Sequence, residues 1–374
     1  MPAVPGALAD LWQPRFPDAS RVAAAVAAFP ARESGPGGPL LVVSPGVLAL
    51  QRIPQPPRPM TMAEVFTAPT ARLAARTGPR GQITAWTPRS RSRMVRRLAE
   101  LDWAPFAAPG VVPAMVALTY PGDWLPVAPT GQAVKAHLAA LVRRWQRAWP
   151  GCWLVWKLEF QARGAPHVHL FAVAWPTLPA GVIRGVTQAR QRPAVGDGLY
   201  FTRWIKAAWA DIVAHPDPAE RAKHESQGAH VDWAEGLRSV DPKRVGVYFT
   251  KHAQYAVKEY QHQVPPEWQL PGAGPGRFWG VAGLDRVAVP VVLTDTEWLL
   301  LQRTLRRHHR AQRVRRTAQP LRHVVRHGRR GRKVHRRTGR LRYGLGFITT
   351  NDAPRLALDL ARLVQATRDE RTPQ

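Results

Sequence analysis

Hydrophobic and polar positions alternate most clearly in the middle of the chain, where two apolar runs flank a short turn. The runs cover 153–161 and 167–175, and both are rich in β-branched and aromatic residues. The turn between them contains Gly164, so the pattern predicts a β-hairpin. Within each run one parity is apolar and the other carries polar side chains. One face of the hairpin is therefore expected in the core and the other is available for chemistry.

Other segments show helical or strand periodicity around this hairpin. The predicted helices are 90–101, 133–149, 199–213, a helix capped by Asp241 and continuing to about 260, and one that begins at Thr296. The predicted strands are 82–86, 111–120, 231–237 (a possible edge strand) and 287–293. Together they predict an α+β fold with an antiparallel sheet and flanking helices.

Composition divides the chain into three segments. Residues 1–77 are rich in proline and alanine and lack clear periodicity, which predicts a loosely structured region of unknown role. Residues 78–290 contain the hairpin and most of the periodic runs, and form the predicted central domain. Residues 291–374 form a basic, largely helical C-terminal region.

The charge balance indicates a polyanionic partner. The net charge is +29, the isoelectric point is near 11.6, and 46 of the 54 basic residues are arginine, which suits bidentate contact with phosphate. Between Arg303 and Arg342 there are 17 basic residues and no acidic one, a composition typical of contact with the DNA backbone or of a solvated tail. The predicted DNA-binding residues are Arg303, Arg306, Arg307, Arg310, Arg313, Arg315 and Arg316.

Cysteine usage and hydropathy limit the class of protein further. The single Cys152 excludes an internal disulfide and any zinc site built from several cysteines, and it favours a reducing compartment. The sequence has no apolar run of membrane length, so neither membrane insertion nor secretion is expected.

Four polar side chains lie on the face of the predicted hairpin that is not apolar: Glu159, Gln161, His167 and His169. If the turn is centred on Gly164, Gln161 lies opposite His167 and Glu159 opposite His169. Two imidazoles and a carboxylate leave positions open around a divalent ion, which suits Lewis-acid catalysis. A His-x-His pair also occurs by chance on strands, and the nearby glutamate is what favours a metal site here.

Several short motifs then agree in order and spacing: LTYP at 118–121, LEFQARGAPHVHL at 158–170, YFTKH at 248–252 and GRFWG at 276–280. Together they resemble the HUH endonucleases, particularly the rolling-circle replication initiators of plasmids and filamentous phages. The resemblance covers about 78–284. It implies a metal-dependent tyrosine nuclease on a palm-like antiparallel sheet, which nicks one DNA strand, stays attached to the 5′ end and leaves a 3′ hydroxyl.

The resemblance also assigns roles to residues. His167 and His169 match the metal-binding histidines, Glu159 the third ligand, and Gln161 either a ligand or a residue that holds a histidine in place; the implied ion is Mg²⁺ or Mn²⁺. Phe171 stands where a His-x-His-x-His hydrolase would have its third histidine. Tyr248 with Lys251 has the Tyr-x-x-Lys form of the nucleophile.

A second match to that form begins at Tyr255, seven residues later. We expect Tyr248 to be the nucleophile, with Tyr255 or a two-tyrosine mechanism as alternatives. The implied partners are a single-stranded or hairpin DNA origin and the host helicase and polymerase, in a bacterial cytoplasm. A transposase or relaxase of the same superfamily and a non-catalytic basic DNA-binding protein are the rival functions.

Overall fold

The computed structural model describes residues 18–33, 35–54, 85–107, 112–149, 151–174, 199–239, 242–251, 261–317, 339–342 and 345–370. They form two antiparallel five-stranded sheets with flanking helices, which confirms the predicted α+β class. The described residues divide into two compact units, each with one sheet. Unit 1 comprises 85–98 and 103–285, and unit 2 comprises 18–54, 99–102 and 286–370.

The helices and strands are numbered in chain order. They are α1 (Ala19–Ala27), β1 (Pro39–Val43), β2 (Val47–Arg52), α2 (Pro88–Ala99), β3 (Val112–Thr119), α3 (Gly131–Ala148), β4 (Leu154–Phe160), β5 (Pro166–Ala174), α4 (Leu199–Val213), α5 (Pro218–Gln227), β6 (Ala229–Asp232), α6 (Trp233–Arg238), α7 (Pro242–Lys251), β7 (Trp279–Ala282), β8 (Val289–Val292), α8 (Asp295–Thr317), β9 (Gly339–Arg342), β10 (Leu345–Thr349) and α9 (Ala353–Asp369).

The sheet of unit 1 has the strand order β6-β3-β5-β4-β7, and every neighbouring pair is antiparallel. Alternation along β4 and β5 directs Leu158 and Leu170 into a large buried cluster that also receives side chains of α3 and α4. Tryptophans supply much of this core, among them Trp145 and Trp209. Aromatic burial on this scale stabilises the sheet from one side.

Helix α3 begins earlier than the predicted residue 133 because Thr130 caps it. The Thr130 hydroxyl accepts a hydrogen bond from the Ala133 amide at 3.1 Å, which satisfies one of the free donors of the first turn. Its apolar stripe includes Leu138, Leu141 and Trp145, as the periodicity predicts. This long helix positions the strands that carry the polar residues of the hairpin.

The prediction of a strand over 231–237 is wrong beyond residue 232. Strand β6 is an edge strand, but it ends at Asp232, whose carboxylate accepts a hydrogen bond from the Glu235 amide at 2.9 Å and so caps α6. The apolar residues of this segment lie on a helix rather than on an extended strand. Helix α5 and strand β7 were not predicted either, and most of the predicted strand 82–86 lies outside the described residues.

Unit 2 corrects the expectation of loose structure for the part of 1–77 that the structure describes, which lies within 18–54. Strands β1 and β2 lie inside its sheet, which has the order β8-β1-β2-β10-β9, and α1, α8 and α9 contribute to its buried cluster. The partners of β1 and β2 outside their own hairpin come from the far end of the chain, so no local pattern reveals them. Arg32 forms a two-point ion pair with Glu297 of α8.

The predicted division of roles among three segments stays a prediction, because unit 2 combines residues from the first and the last of them. Among the described residues, no helix has both the length and the apolar character that crossing a membrane requires.

Candidate active site

The central hairpin joins β4 to β5 through a tight turn. The Gln161 amide donates to the Ala165 carbonyl and the Gly164 amide donates to the Gln161 carbonyl, both at 2.9 Å. Gly164 has φ +85°, a conformation that glycine adopts without the steric penalty of a side chain. The turn therefore depends on glycine at this position, and it sets which residues of the two strands face each other.

The predicted pairing across the hairpin is wrong by two residues. Glu159 lies opposite His167 and Lys157 lies opposite His169, whereas Gln161 was expected opposite His167. The difference arises because the turn is centred on Arg163 rather than on Gly164. A shift of two residues preserves parity, so the predicted polar residues still share one face. We call Lys157, Glu159, His167 and His169 the polar face, and Leu158, Phe160, Val168 and Leu170 the apolar face.

Glu159 is buried between two basic groups. Its Oε1 accepts a hydrogen bond from Lys157 Nζ at 2.5 Å, and its Oε2 lies 3.4 Å from His169 Nε2. Burial alone would raise the pKa of this carboxyl, but the interaction with His169 and the charge of Lys157 together bring the pKa well below its ordinary value. Glu159 is thus ionised at neutral pH and is the negative centre of the polar face.

Gln161 is engaged by neighbours rather than directed at His167. Its Nε2 donates to Thr119 Oγ1 at 2.9 Å, and its Oε1 accepts from Arg163 Nε at 3.0 Å. Arg163 also donates to the carbonyl oxygens of Tyr120 and Gly122, which fastens the hairpin turn to the end of β3. These contacts are with Thr119 and Arg163 and not with a histidine, so the choice between the two predicted roles of Gln161 stays a prediction.

Tyr248 comes from α7 and approaches the polar face. The centroid of its ring lies 6.0 Å from that of His169, with the two rings nearly perpendicular. Burial, followed by the negative charges of Glu159, Glu235 and Asp232, raises the pKa of the phenol to about 12. The phenol is therefore protonated at neutral pH unless a cation is added to the site.

The structure describes the other two residues predicted for the nucleophile, Lys251 and Tyr255, only in part. Lys251 is the last residue of α7, and the position of its side chain is outside what the structure describes. Tyr255, like Asp241, lies outside the described residues altogether. The choice between Tyr248 and Tyr255 stays a prediction.

A pocket of about 220 Å³ opens beside these groups. It is lined by Glu159, Phe160, Gln161, Ala162, His167, His169 and Gln261. The three predicted ligand residues and Gln161, predicted as a further ligand or as a residue that holds a histidine, thus border one space. The pocket gives a small polar group, such as a phosphate with a cation, access to the polar face.

The donor chemistry of this face suits a divalent cation. His169 Nε2 and Glu159 Oε2, at 3.4 Å, are close enough to hold one ion, because two ligands with bonds of about 2.1 Å lie roughly 3 to 3.4 Å apart. The His167 ring lies 4.4 Å from the His169 ring, centroid to centroid. Among the described residues, however, no three His, Cys, Asp or Glu side chains are already arranged around a common ion position. Cation binding by the three predicted ligands stays a prediction.

Lys157 belongs to the site although the sequence analysis did not select it. It is fully buried, and its parity puts it on the same face as Glu159. Strand alternation, which selected Glu159 and Gln161, extends two residues further to include this lysine. Phe171 has the same parity but stacks on Phe106 at 4.8 Å, so the polar face ends at His169.

The predicted DNA-binding arginines begin on α8 of unit 2. This helix buries Leu301 and Leu305, whereas Arg303 and Arg307 are exposed on its other side and Arg306 is partly exposed. The backbone of the helix continues through Arg310, Arg313, Arg315 and Arg316, whose side chains are outside the description. The described part of α8 therefore presents a basic face to solvent.

Comparison with known proteins identifies one relative. The chain is 24% identical over 238 residues to the replication-associated protein G2P of Pseudomonas phage Pf3, a match that covers 62% of this chain and 70% of the phage protein. No model of a known protein family matches the sequence, and no solved structure matches it.

Proposed function

We propose that this chain is a replication initiator that nicks one strand of an origin with a tyrosine nucleophile, in the manner of the HUH endonucleases. The similarity to a phage protein named for replication supports the role in replication. The charge of +29 and the exposed arginines of α8 support DNA as the partner. On this proposal the chain acts in the bacterial cytoplasm beside the host helicase and polymerase.

The observation that carries the proposal is the convergence of two distant segments on one polar face. Helix α7 brings the Tyr248 ring within 6.0 Å of the His169 ring, and His169 in turn lies 3.4 Å from Glu159. A tyrosine beside histidines and an ionised carboxylate is the set of groups that phosphotyrosine chemistry needs: a nucleophile, and ligands for a cation. The adjoining pocket leaves room for the phosphate.

In the proposed reaction the Tyr248 oxygen attacks the scissile phosphorus. An O–P bond to tyrosine forms, the bond from phosphorus to the 3′ oxygen breaks, and the phenolic proton is in effect passed to the departing 3′ oxygen. A divalent ion held by His167, His169 and Glu159 would supply a Lewis acid that polarises the phosphate and stabilises negative charge. Lys251, one helical turn from Tyr248, is proposed to stabilise the phenolate or the pentavalent phosphate.

The raised pKa of Tyr248 means that the phenol needs a neighbouring positive charge to act as a nucleophile. With Glu159, Glu235 and Asp232 nearby and a pKa of about 12, the phenol is a poor nucleophile by itself. Positive charge next to the phenol would offset these carboxylates.

The test is trapping of a covalent adduct. A labelled random-sequence single-stranded DNA library is incubated with the protein and Mn²⁺, and linked DNA is separated on a denaturing gel and sequenced from its 5′ ends. We expect an adduct whose linked peptide, by mass spectrometry, carries DNA on Tyr248. Tyr248→Phe should abolish it, and Tyr120→Phe, a buried tyrosine of the core, should not.

Two results would change the proposal. An adduct mapped to Tyr255, with Tyr255→Phe inactive and Tyr248→Phe active, would move the nucleophile to the second tyrosine. Tight DNA binding without any adduct in Mg²⁺ or Mn²⁺ would favour the non-catalytic DNA-binding alternative.

A further inference from the structure

Lys157 is a buried cation that has three polar partners. Its Nζ donates to Glu159 Oε1 at 2.5 Å and to the Phe249 carbonyl at 2.8 Å, and it lies 3.1 Å from His262 Nε2. An ammonium has three protons; two are donated to these oxygen atoms, and the third has an acceptor in His262 when its Nε2 carries no proton. The same group also lies 5.1 Å from the centre of the Trp86 ring.

These partners come from four different segments of unit 1. Glu159 is on the same strand as Lys157, Phe249 is in the last turn of α7, His262 follows that helix in the chain, and Trp86 precedes α2. The lysine is therefore the point at which the strand that carries Glu159 is bonded to the helix that carries Tyr248.

Stability does not explain this lysine well. Moving an ammonium out of water is expensive, and an apolar side chain of similar size is often as stabilising or more so in such a place. The arrangement of the ammonium therefore points to a role in geometry.

We propose that Lys157 is a positioning residue that holds Glu159 and the tyrosine helix in register with each other. Its contact with Oε1 fixes the rotation of the carboxylate, which leaves Oε2 facing His169. Its contact with the Phe249 carbonyl fixes the residue next to Tyr248. The consequence for catalysis rests on the proposed function, whereas the link between strand and helix does not.

Lys135 provides a matched control in the same unit. It also interacts with an indole ring, that of Trp156 at 4.8 Å, and with a backbone carbonyl, that of Pro275 at 3.3 Å. Burial lowers its pKa to about 7. It lies on α3 and is half-buried, and its described contacts include neither Glu159 nor α7, so Lys135→Met removes a lysine with similar partners without touching the proposed link.

The experiment compares Lys157→Met with Lys135→Met by amide hydrogen exchange and by single-turnover nicking. We expect exchange in 244–251 to become at least about tenfold faster in Lys157→Met and to stay unchanged in Lys135→Met. We also expect the nicking rate at saturating DNA to fall about 100-fold in Lys157→Met with little change in the half-saturating DNA concentration, because misplacement of groups slows chemistry more than binding. Mn²⁺ affinity, measured by calorimetry, should fall with it.

A double variant covers the case in which Lys157→Met fails to fold because Glu159 is left as a buried charge without its partner. Lys157→Met combined with Glu159→Gln removes both charges, and Glu159→Gln alone keeps the donor to Phe249. Of these two variants, we expect the double variant to show faster exchange in 244–251 and Glu159→Gln alone to leave this exchange unchanged.

Unchanged exchange in this helix, or an equal effect of Lys135→Met, would overturn the proposal. If the wild-type protein forms no DNA adduct at all, the proposed function fails, and exchange and Mn²⁺ affinity still decide the role of Lys157.

Discussion

The two faces of one hairpin perform different tasks with the same backbone. Side chains of the apolar face are at most 2% exposed and have no polar atoms, so burial there contributes stability directly. On the polar face Lys157 and Glu159 are equally buried, yet each is charged and needs its partner. The difference indicates that stability and chemistry are separated by strand parity, and the substitutions below test how complete that separation is.

Glu159→Gln should have the largest effect on function. It removes the negative charge that pairs with Lys157 and that would bind a cation together with His169. We expect adduct formation to fall by on the order of 10²–10³-fold, as when one preorganised group of a catalytic site is lost. The measurement is single-turnover nicking in Mn²⁺, with circular dichroism to verify folding.

Glu100→Gln serves as the control for this substitution. Glu100 is also buried and paired, with Arg286 at 2.8 Å, but it belongs to unit 2. It should leave nicking within a few fold of the wild type. A Glu159→Gln protein with full activity would remove Glu159 from the proposed site.

Leu158→Ala tests the apolar face, where we expect a loss of stability and little loss of nicking. Leu158 is fully buried in the aromatic core, and truncating such a leucine costs about 2–5 kcal/mol in the free energy of unfolding. Because its side chain points away from Glu159, nicking per folded molecule should stay close to wild type. Urea unfolding followed by tryptophan fluorescence gives the first quantity, and active-site titration gives the second. Loss of nicking in fully folded protein would mean that the faces are coupled.

Strand parity made most of the candidate site predictable. Period-two alternation selected Glu159, His167 and His169 together, and parity survives an error of two residues in register. The approach of Tyr248 followed from a motif on a helix, whereas its distance from His169 depends on packing that no local pattern encodes. Lys157 shows the limit most clearly, because its acceptors at Phe249 and His262 are brought to it only by the fold.

The fold was predictable for helices whose apolar stripe packs against elements that are close in the sequence. Helix α4 has the predicted bounds, and α3 differs from prediction mainly because Thr130 begins its first turn. The sheet of unit 2 was missed because β1 pairs with β8, and β2 with β10, from opposite ends of the chain. Short apolar runs such as β1 are ambiguous until their partners are known.

Two histidines on the helical side, His137 (half-buried) and His224 (buried), test whether this side of the sheet responds to pH. His137 accepts or donates a hydrogen bond at 3.0 Å to the Tyr120 hydroxyl, and His224 is fully buried. Burial is the main cause that lowers the pKa of both, with further repulsion between them for His137 and from His215 for His224. Below about pH 6.5 the unfolded chain takes up protons that these folded histidines resist.

Stability should therefore be complete above that pH and fall as the pH decreases below it. We expect a lower urea midpoint at pH 5.5 than at pH 7.5, and a smaller difference in His137→Gln and His224→Gln. A pH dependence as large in both variants as in the wild type would assign the effect to other groups.

Gly164→Ala should have the smallest effect and tests what keeps the two faces apart. At φ +85° an alanine is strained by about 1 kcal/mol, and its Cβ would lie 3.2 Å from the Cβ of Pro265. Gly164→Asn has the same Cβ but tolerates this backbone conformation better. If conformation dominates, asparagine should lower the urea midpoint less than alanine does, and if the contact with Pro265 dominates, the two should be equal. Nicking should persist in both variants, because the strands should keep their register. A one-residue slip would exchange the two faces and bury the site residues in the aromatic core, which is unfavourable.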